Sequence, residues 1–145
     1  MILHGLIDDK NQLWVTITVA GNQKQTEARA ILDTGFTGEI LLPLSIASTL
    51  DLIPAGVGKC ELADGSISKQ KIFVASINWG TQTRLVTVSV MDNIKDVLIG
   101  GGLLHGYVLT VDFKQKQLII KEPGTDDPQI VVVAKQIRKK KIKRR

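Results

Sequence analysis

Residues 30–38 read AILDTGFTG, an apolar run that stops abruptly at an acid, a hydroxyl and a glycine. The apolar residues before Asp33 predict a buried strand that ends at this acid. A carboxylate in that position is costly to desolvate unless it is hydrogen-bonded or used in chemistry. Gly35 has no Cβ atom, so the backbone can turn tightly, and the Thr34 hydroxyl can bond nearby backbone groups. This loop is therefore the first candidate for a functional site.

The residues around Asp33 predict a β-hairpin that carries this acid at its end. Residues 13–19 alternate apolar and polar side chains, which is typical of a half-buried strand. Residues 20–22 read Ala-Gly-Asn, a turn signal, and residues 28–32 are suited to a second strand. We expect the two strands to pair, with Asp33 directly after the second one.

The rest of the chain predicts a mainly β fold with one or two short helices. A helix capped by Ser45 is predicted over residues 46–50, and a second helix is predicted from Leu103. Asp64-Gly65 lies between two strand-like runs and predicts a hairpin turn, because both residue types tolerate positive φ. The remaining strands are predicted at residues 40–42, 57–62, 67–75, 85–90, 96–102, 107–113 and 117–121.

The length and composition of the chain fit a single domain. Its 145 residues are 43% hydrophobic, which is enough for one core and leaves little length for a second. We expect this domain at residues 1–122, a linker or short strand at residues 123–134, and a disordered basic tail at residues 135–145. The tail holds eight basic residues and no acid, which leaves 11 basic and 14 acidic residues elsewhere, a net charge of −3. Such a tail could contact nucleic acid weakly through its charge.

The sequence also predicts the cellular compartment. Cys60 is the only cysteine, so an intrachain disulfide is impossible, which suits a reducing compartment. Residues 1–9 lack both the basic segment and the long apolar core of a signal peptide. No apolar stretch approaches the roughly 20 residues that a membrane helix needs. We therefore expect a cytoplasmic protein without a membrane span.

Three motifs, in order, resemble those of the retropepsin-like (clan AA) aspartic proteases. Residues 33–35 (Asp-Thr-Gly) resemble the catalytic loop of that family. About 65 residues later, residues 98–100 (Leu-Ile-Gly) resemble the hydrophobic-hydrophobic-Gly strand that packs beneath the loop. The hairpin at residues 64–65 lies between them, where the family has its flap, a mobile hairpin that closes over substrate. With Phe36 and the flap sequence Leu-Ala-Asp-Gly-Ser, the resemblance covers about residues 13–121 and points to the small prokaryotic Asp-Thr-Gly-Phe group.

The resemblance implies a retropepsin-like closed β-barrel, equivalent to one half of a two-domain acid protease, and it implies roles for ten residues. They are the catalytic residues Asp33, Thr34 and Gly35, the substrate-binding flap residues Ala63, Asp64, Gly65 and Ser66, and the structural support residues Leu98, Ile99 and Gly100. The resemblance implies neither a metal nor any other cofactor.

The implied activity is that of an aspartic endopeptidase acting on a protein or peptide substrate. Pepsin-type enzymes carry two Asp-Thr/Ser-Gly loops in one chain, whereas this chain has one, so a homodimer would supply the second Asp33. Two adjacent carboxylates cannot both ionise easily, so they would share a proton. The ionised carboxylate would activate a water, and the protonated one would polarise the scissile carbonyl.

The same residues leave a second interpretation open. Gly101 and Gly102 stand where retroviral enzymes have polar residues that support the dimer through ion pairs. Without that support, the chain could be a non-catalytic retropepsin-like binding module whose basic tail at residues 135–145 binds nucleic acid. This alternative predicts a monomer or an open dimer without peptidase activity.

Overall fold

The computed structural model describes residues 2–61 and 64–124, which form a mainly β protein, as the sequence predicts. These residues contain ten strands and two helices of four residues each. The strands are β1 (Ile2–Ile7), β2 (Leu13–Ala20), β3 (Gln25–Asp33), β4 (Ile40–Pro43), β5 (Ile53–Glu61), β6 (Ile67–Trp79), β7 (Gln82–Met91), β8 (Val97–Gly100), β9 (Val108–Asp112) and β10 (Gln117–Lys121). The helices are α1 (Leu44–Ala47) and α2 (Gly101–Leu104). The predicted linker beyond Gly124 and the predicted basic tail lie outside the described residues.

Six of the strands close into a barrel. The hydrogen-bonded order runs β6-β7-β4-β8-β3-β2, and β2 pairs again with β6 through Val19 opposite Ile77 and Ala20 opposite Ser76. Closure gives each of these strands two hydrogen-bonded neighbours, and the β2–β6 and β4–β8 pairings extend over two residues each. The predicted closed β-barrel with one or two short helices is therefore confirmed.

An aliphatic core holds the barrel strands together. Alternate residues of β2 face the core, so Val15 and Ile17 are buried while Thr16 is exposed. Trp79, the last residue of β6, is fully buried, and its ring meets the Tyr107 ring edge-on with 5.9 Å between centroids. Burial of this apolar face is the main favourable contribution to folding, which is why the alternating pattern of the sequence predicts these strands.

The predicted hairpin that carries Asp33 is also confirmed. β2 and β3 pair antiparallel over seven residues each, and Asp33 is the last residue of β3. The carboxylate of Asp51 accepts hydrogen bonds from the N–H groups of Gln23 and Lys24 at 2.8 and 3.0 Å, which fastens the connecting turn. Asp33 therefore lies at the opposite end of the hairpin from this turn.

Two parallel pairings set the end of β3 beside distant parts of the chain. β3 runs parallel to β8, with Asp33 opposite Gly100. β4 runs parallel to β7, with Ile40 opposite Val88. Parallel strands are joined by long crossover connections, so no local turn signal in the sequence predicts these pairings.

The first strand is absent from the sequence-based expectation. β1 reads ILHGLI, in which apolar residues do not alternate with polar ones, so the pattern carries no strand signal. It forms because it pairs with β10 along residues 2–5 and with β2 at Leu6 and Ile7. Tertiary pairing therefore decides the conformation of this segment.

Both helices begin earlier than the sequence predicts. α1 starts at Leu44 rather than at residue 46, and Ser45 lies inside the helix instead of capping it. The cap position is Pro43, whose ring holds φ at −60° and which offers no side-chain cap. α2 starts at Gly101, two residues before the predicted position. Within the described ranges, neither helix has the length or apolar character that a membrane crossing requires.

Replacement of Ile77 by alanine tests the barrel core. Ile77 is 1% exposed and lies where β6 pairs with β2. We expect Ile77→Ala to lower the free energy of unfolding by about 2–5 kcal/mol, because the deleted atoms leave a cavity. Ile67→Ala on the same strand is the matched control, since Ile67 is 68% exposed, and it should change the value by less than about 0.5 kcal/mol. Urea unfolding measures both variants, and equal losses would contradict this assignment of the core.

Candidate active site

Asp33 ends β3 and leads into a loop over residues 34–39. Its side chain is half-buried, whereas Thr34 and Gly35 are exposed. Its carboxylate oxygen Oδ1 accepts a hydrogen bond from the Gly35 N–H at 3.0 Å. Its backbone carbonyl accepts a hydrogen bond from the Phe36 N–H at 3.1 Å, which closes a tight turn. The turn orients the carboxylate at the end of the strand, beside exposed backbone.

Three backbone hydrogen bonds fasten this loop to the glycines at residues 100–102. The bonds run from the N–H of Gly100 to the Glu39 carbonyl (3.0 Å), from Gly101 to the Phe36 carbonyl (2.7 Å), and from Gly102 to the Gly38 carbonyl (3.0 Å). The first N–H groups of a helix have no partner within it, and here the loop carbonyls supply partners at the start of α2. The loop and the start of α2 therefore form one hydrogen-bonded unit.

Close approach, rather than backbone conformation, requires glycine at position 100. Gly100 has a φ of −100°, which any residue can adopt. A Cβ atom there would overlap the carbonyl oxygen of Gly38 and would lie 2.5 Å from a ring carbon and from the carbonyl oxygen of Phe36. A Cβ atom on Gly38 would also lie 2.5 Å from the same ring. The Phe36 ring occupies the space that the two glycines leave, which gives a physical reason for phenylalanine directly after the Asp-Thr-Gly triplet.

A polar network that the sequence analysis missed supports the far end of the loop. Oε1 of Glu39 accepts hydrogen bonds from the N–H and the hydroxyl of Thr87 at 3.0 and 2.9 Å. Its Oε2 lies 3.6 Å from the guanidinium of Arg84, which also donates to the Leu103 carbonyl at 3.2 Å. The Arg84 guanidinium lies over the Tyr107 ring, 5.8 Å from its centroid. The pairing of β4 with β7 creates this network, and no local sequence signal could have revealed it.

The predicted flap is the hairpin of β5 and β6. Gly65 has a φ of +83°, whereas the φ of Asp64 is not positive. Of these two turn residues, only Gly65 therefore adopts the left-handed conformation. The Asp64 carboxylate accepts hydrogen bonds from the Ser66 hydroxyl at 2.6 Å and from the Ser66 N–H at 2.9 Å. Both hydrogen bonds lower the pKa of Asp64, and the bond from the Ser66 hydroxyl has the larger effect. Ala63 lies outside the described residues.

The structure brings the predicted catalytic and support residues together. In the register of β3 and β8, Ile31, Leu32 and Asp33 lie opposite Leu98, Ile99 and Gly100. The predicted flap residues that the structure describes lie on a separate hairpin, where the Asp64 carboxylate accepts two hydrogen bonds from Ser66. Residues 2–61 and 64–124 contain no cluster of three or more His, Cys, Asp or Glu side chains that could hold a metal ion.

Asp33 differs from the other turn-forming acids in its hydrogen bonding. Within the part of the chain that the structure describes, its carboxylate accepts one hydrogen bond, from Gly35. Asp112 accepts two, from the N–H groups of Lys114 and Gln115, and Asp64 also accepts two. The Asp33 carboxylate therefore keeps acceptor capacity for another molecule.

Comparison with known proteins identifies the fold. No protein-family model and no curated protein matches this chain. Among solved structures, the chain is similar to a retropepsin-like aspartic protease from Rickettsia conorii, with a TM-score of 0.59 and 14% sequence identity. The match covers 84% of this chain and 91% of the Rickettsia chain. The protein therefore has a retropepsin-like fold.

An alanine at position 100 tests the packing of the loop. We expect Gly100→Ala to lower the free energy of unfolding by about 1–3 kcal/mol, because the methyl group overlaps the Gly38 carbonyl oxygen and overpacks the contact with Phe36. Gly101→Ala is the matched control, since a Cβ atom there meets nothing nearer than 3.7 Å. It should leave stability unchanged or raise it by up to about 1 kcal/mol, because alanine suits a helix better than glycine. Urea unfolding of both variants gives the comparison, and equal effects would show that the loop does not constrain position 100.

Removal of the Ser66 hydroxyl tests the electrostatics of the turn between β5 and β6. The pKa of Asp64 lies below its ordinary value of 3.8 because Ser66 hydrogen-bonds the ionised form. The ionised carboxylate therefore contributes stability above pH 3.8 that is lost as the pH falls through the lowered pKa. We expect Ser66→Ala to raise the pKa of Asp64 toward 3.8, as measured by NMR titration of the carboxyl carbon. The pKa of Asp51 is lowered by hydrogen bonds from the N–H groups of Lys24 and Gln23. It should not change in Ser66→Ala and serves as the internal control. An unchanged pKa of Asp64 would refute the role of Ser66.

Proposed function

We propose that this protein is an aspartic-type endopeptidase that acts as a homodimer, with one catalytic Asp33 from each subunit. The observation that carries the proposal is the Asp33 carboxylate, which is oriented by the Gly35 N–H at 3.0 Å, lies beside Gly100 and keeps free acceptor capacity. The fold adds support by analogy, since the Rickettsia protein of similar structure is named an aspartic protease.

A homodimer would supply the second carboxylate. The chain contains one Asp-Thr-Gly triplet, so a pair of catalytic acids requires two copies. A two-fold interface brings the same surface of both copies together, so residues near the axis meet their own counterparts. Thr34 and Gly35 are exposed beside Asp33, which leaves this face of the loop accessible to a second subunit. In the dimer, the Thr34 hydroxyl would bond across the axis and hold the two loops in place.

The two Asp33 carboxyl groups would act as one titrating unit. Two negative charges at hydrogen-bond distance repel strongly, so the pair holds one proton over a range of acidic pH. One carboxylate is then a base and the other a hydrogen-bond donor. The Gly35 N–H donates a hydrogen bond to the carboxylate of its own chain and holds it in the loop.

Peptide hydrolysis follows from this shared proton. The ionised Asp33 accepts a proton from a water while the water oxygen bonds to the scissile carbonyl carbon. The protonated Asp33 gives its proton to the carbonyl oxygen, which produces a neutral tetrahedral intermediate. When the intermediate collapses, the first carboxyl returns its proton to the nitrogen, the C–N bond breaks, and the second carboxylate recovers a proton from the hydroxyl. The pair then again holds one proton, and no metal or cofactor takes part.

The β5–β6 hairpin would act as the flap over the substrate. In this role Ala63, Asp64, Gly65 and Ser66 would contact the substrate backbone. The Asp64–Ser66 hydrogen bonds tie the turn together, so the hairpin would close as a unit. Leu98, Ile99 and Gly100 would support the catalytic loop from below, because they pair directly with the end of β3.

The substitution Asp33→Asn tests the proposal. We expect the wild-type protein to cleave peptides at acid pH and Asp33→Asn to lower kcat/KM at least about a thousandfold, because the amide can neither act as the base nor share the proton. Asp112→Asn is the matched control, since Asp112 also ends a strand but caps a turn through Lys114 and Gln115. It should keep full activity. Cleavage that persists in Asp33→Asn would refute the catalytic role of Asp33.

A mixing experiment tests the shared site separately. Excess Asp33→Asn chain added to wild type should reduce activity further than dilution does, because mixed dimers hold one catalytic acid instead of two. Sedimentation across a concentration series gives the mass of the active species. A protein that stays monomeric and cleaves nothing would favour the binding-module alternative, whereas a fully active monomer would refute the shared site.

A further inference from the structure

A cavity lies away from the Asp33 loop, at the base of the β5–β6 hairpin. It has a volume of about 550 Å³. Three parts of the chain line it: α1 and the segment that follows it, the middle of β6, and the end of β7. This size falls within the roughly 300–1,000 Å³ of typical small-ligand sites. No residue of the Asp33 loop or of residues 98–102 lines it, so it is distinct from the candidate active site.

Gln70 is the unusual residue of this cavity. It lies on β6 among the lining residues and is only 6% exposed. Within residues 2–61 and 64–124, neither Oε1 nor Nε2 of its amide has a hydrogen-bond partner. A buried amide without partners carries an uncompensated desolvation cost, and such groups are rare in native proteins. A ligand that supplied both partners would remove this cost.

The other lining residues define the rest of the chemistry. Leu44, Leu52, Phe73 and Val90 provide an apolar surface, and the lining also includes the exposed charged residues Lys69, Lys71 and Asp92. Asp51 lines the cavity too, but its carboxylate already accepts two backbone hydrogen bonds at the β2–β3 turn. Among the lining residues, Gln70 is the buried one whose side chain has no hydrogen-bond partner in the part of the chain that the structure describes.

We propose that this cavity binds a peptide segment in which a peptide bond lies next to an aliphatic side chain. An amide offers one acceptor and one donor, as the Gln70 side chain does, so the two groups can satisfy each other. The terminal torsion of a glutamine side chain is broad, so the amide can turn toward the cavity without a backbone change. The aliphatic side chain would occupy the apolar surface around Phe73 and Leu44. The proposal does not depend on peptidase activity.

The test is an NMR titration of the full-length protein with N-acetyl-L-leucine N-methylamide. This probe contains two amides and one aliphatic side chain. We expect saturable shifts at residues that line the cavity, such as Leu52, Phe73 and Val90, and none at residues 33–36. An absence of shifts at the cavity, with or without shifts at residues 33–36, would overturn the proposal.

The variant Gln70→Leu removes both polar atoms while keeping a similar volume. Such a replacement should preserve the fold, and its melting temperature should equal or exceed that of wild type, because an unpaired buried amide is lost. We expect it to weaken binding of the probe at least about tenfold. Gln25→Leu makes the same chemical change at an exposed position of β3 and should bind as wild type does. Gln70→Met serves the same purpose if the leucine variant does not fold.

A second probe isolates the hydrogen bond. The methyl ester of N-acetyl-L-leucine has the same shape but replaces the C-terminal N–H by oxygen. Wild type should bind the ester several-fold more weakly than the amide, by the loss of one hydrogen bond, whereas Gln70→Leu should bind both probes equally. Equal binding of the amide probe by wild type and Gln70→Leu would overturn the proposal.

Discussion

The contact between the Asp33 loop and the glycines at residues 100–102 is the constraint on which the candidate site depends. Three loop carbonyls accept hydrogen bonds from three consecutive N–H groups, and the two backbones approach so closely that a Cβ atom at Gly100 has no room. β3 and β8, which carry the two sides of this contact, are both barrel strands. The position of the Asp33 carboxylate is therefore set by the barrel and not by the loop alone, which is the preorganisation that acid–base chemistry requires.

The structure gives a physical meaning to two residues near Asp33, which are Phe36 in the loop and Gly101 at the start of α2. Phe36 packs against Gly38, and its ring and carbonyl occupy the space beside Gly100, so the large residue and the two glycines form one packing unit. Gly101 carries no polar side chain, but its N–H still binds the loop through the Phe36 carbonyl. Arg84 of β7 forms an ion pair with Glu39 at the end of the loop. The loop is thus supported by contacts within its own chain.

The buried and half-buried polar groups of this chain show how unused hydrogen-bonding capacity can mark a site. Asp51 and Asp112 each accept two hydrogen bonds from turn N–H groups, which gives both acids a structural role. Within the described residues, Asp33 accepts one, whereas the Gln70 amide and the Trp79 indole N–H have no partner, and of these two Gln70 borders the cavity. A folded protein tolerates such groups at a cost in stability, so they are reasonable places to look for ligands.

Local signals in the sequence determined the hairpin that ends at Asp33, the β5–β6 hairpin, the glycine strand at residues 98–100 and the mainly β class. These features depend on alternation and turn residues within a few positions, so the printed sequence contains them. Only the tertiary structure decided that β1 is a strand, that both helices start early, that Arg84 meets Glu39, and that Gln70 lies beside a cavity without a side-chain partner among residues 2–61 and 64–124. These features join residues far apart in the chain, and their energies come from packing and pairing that no local pattern encodes.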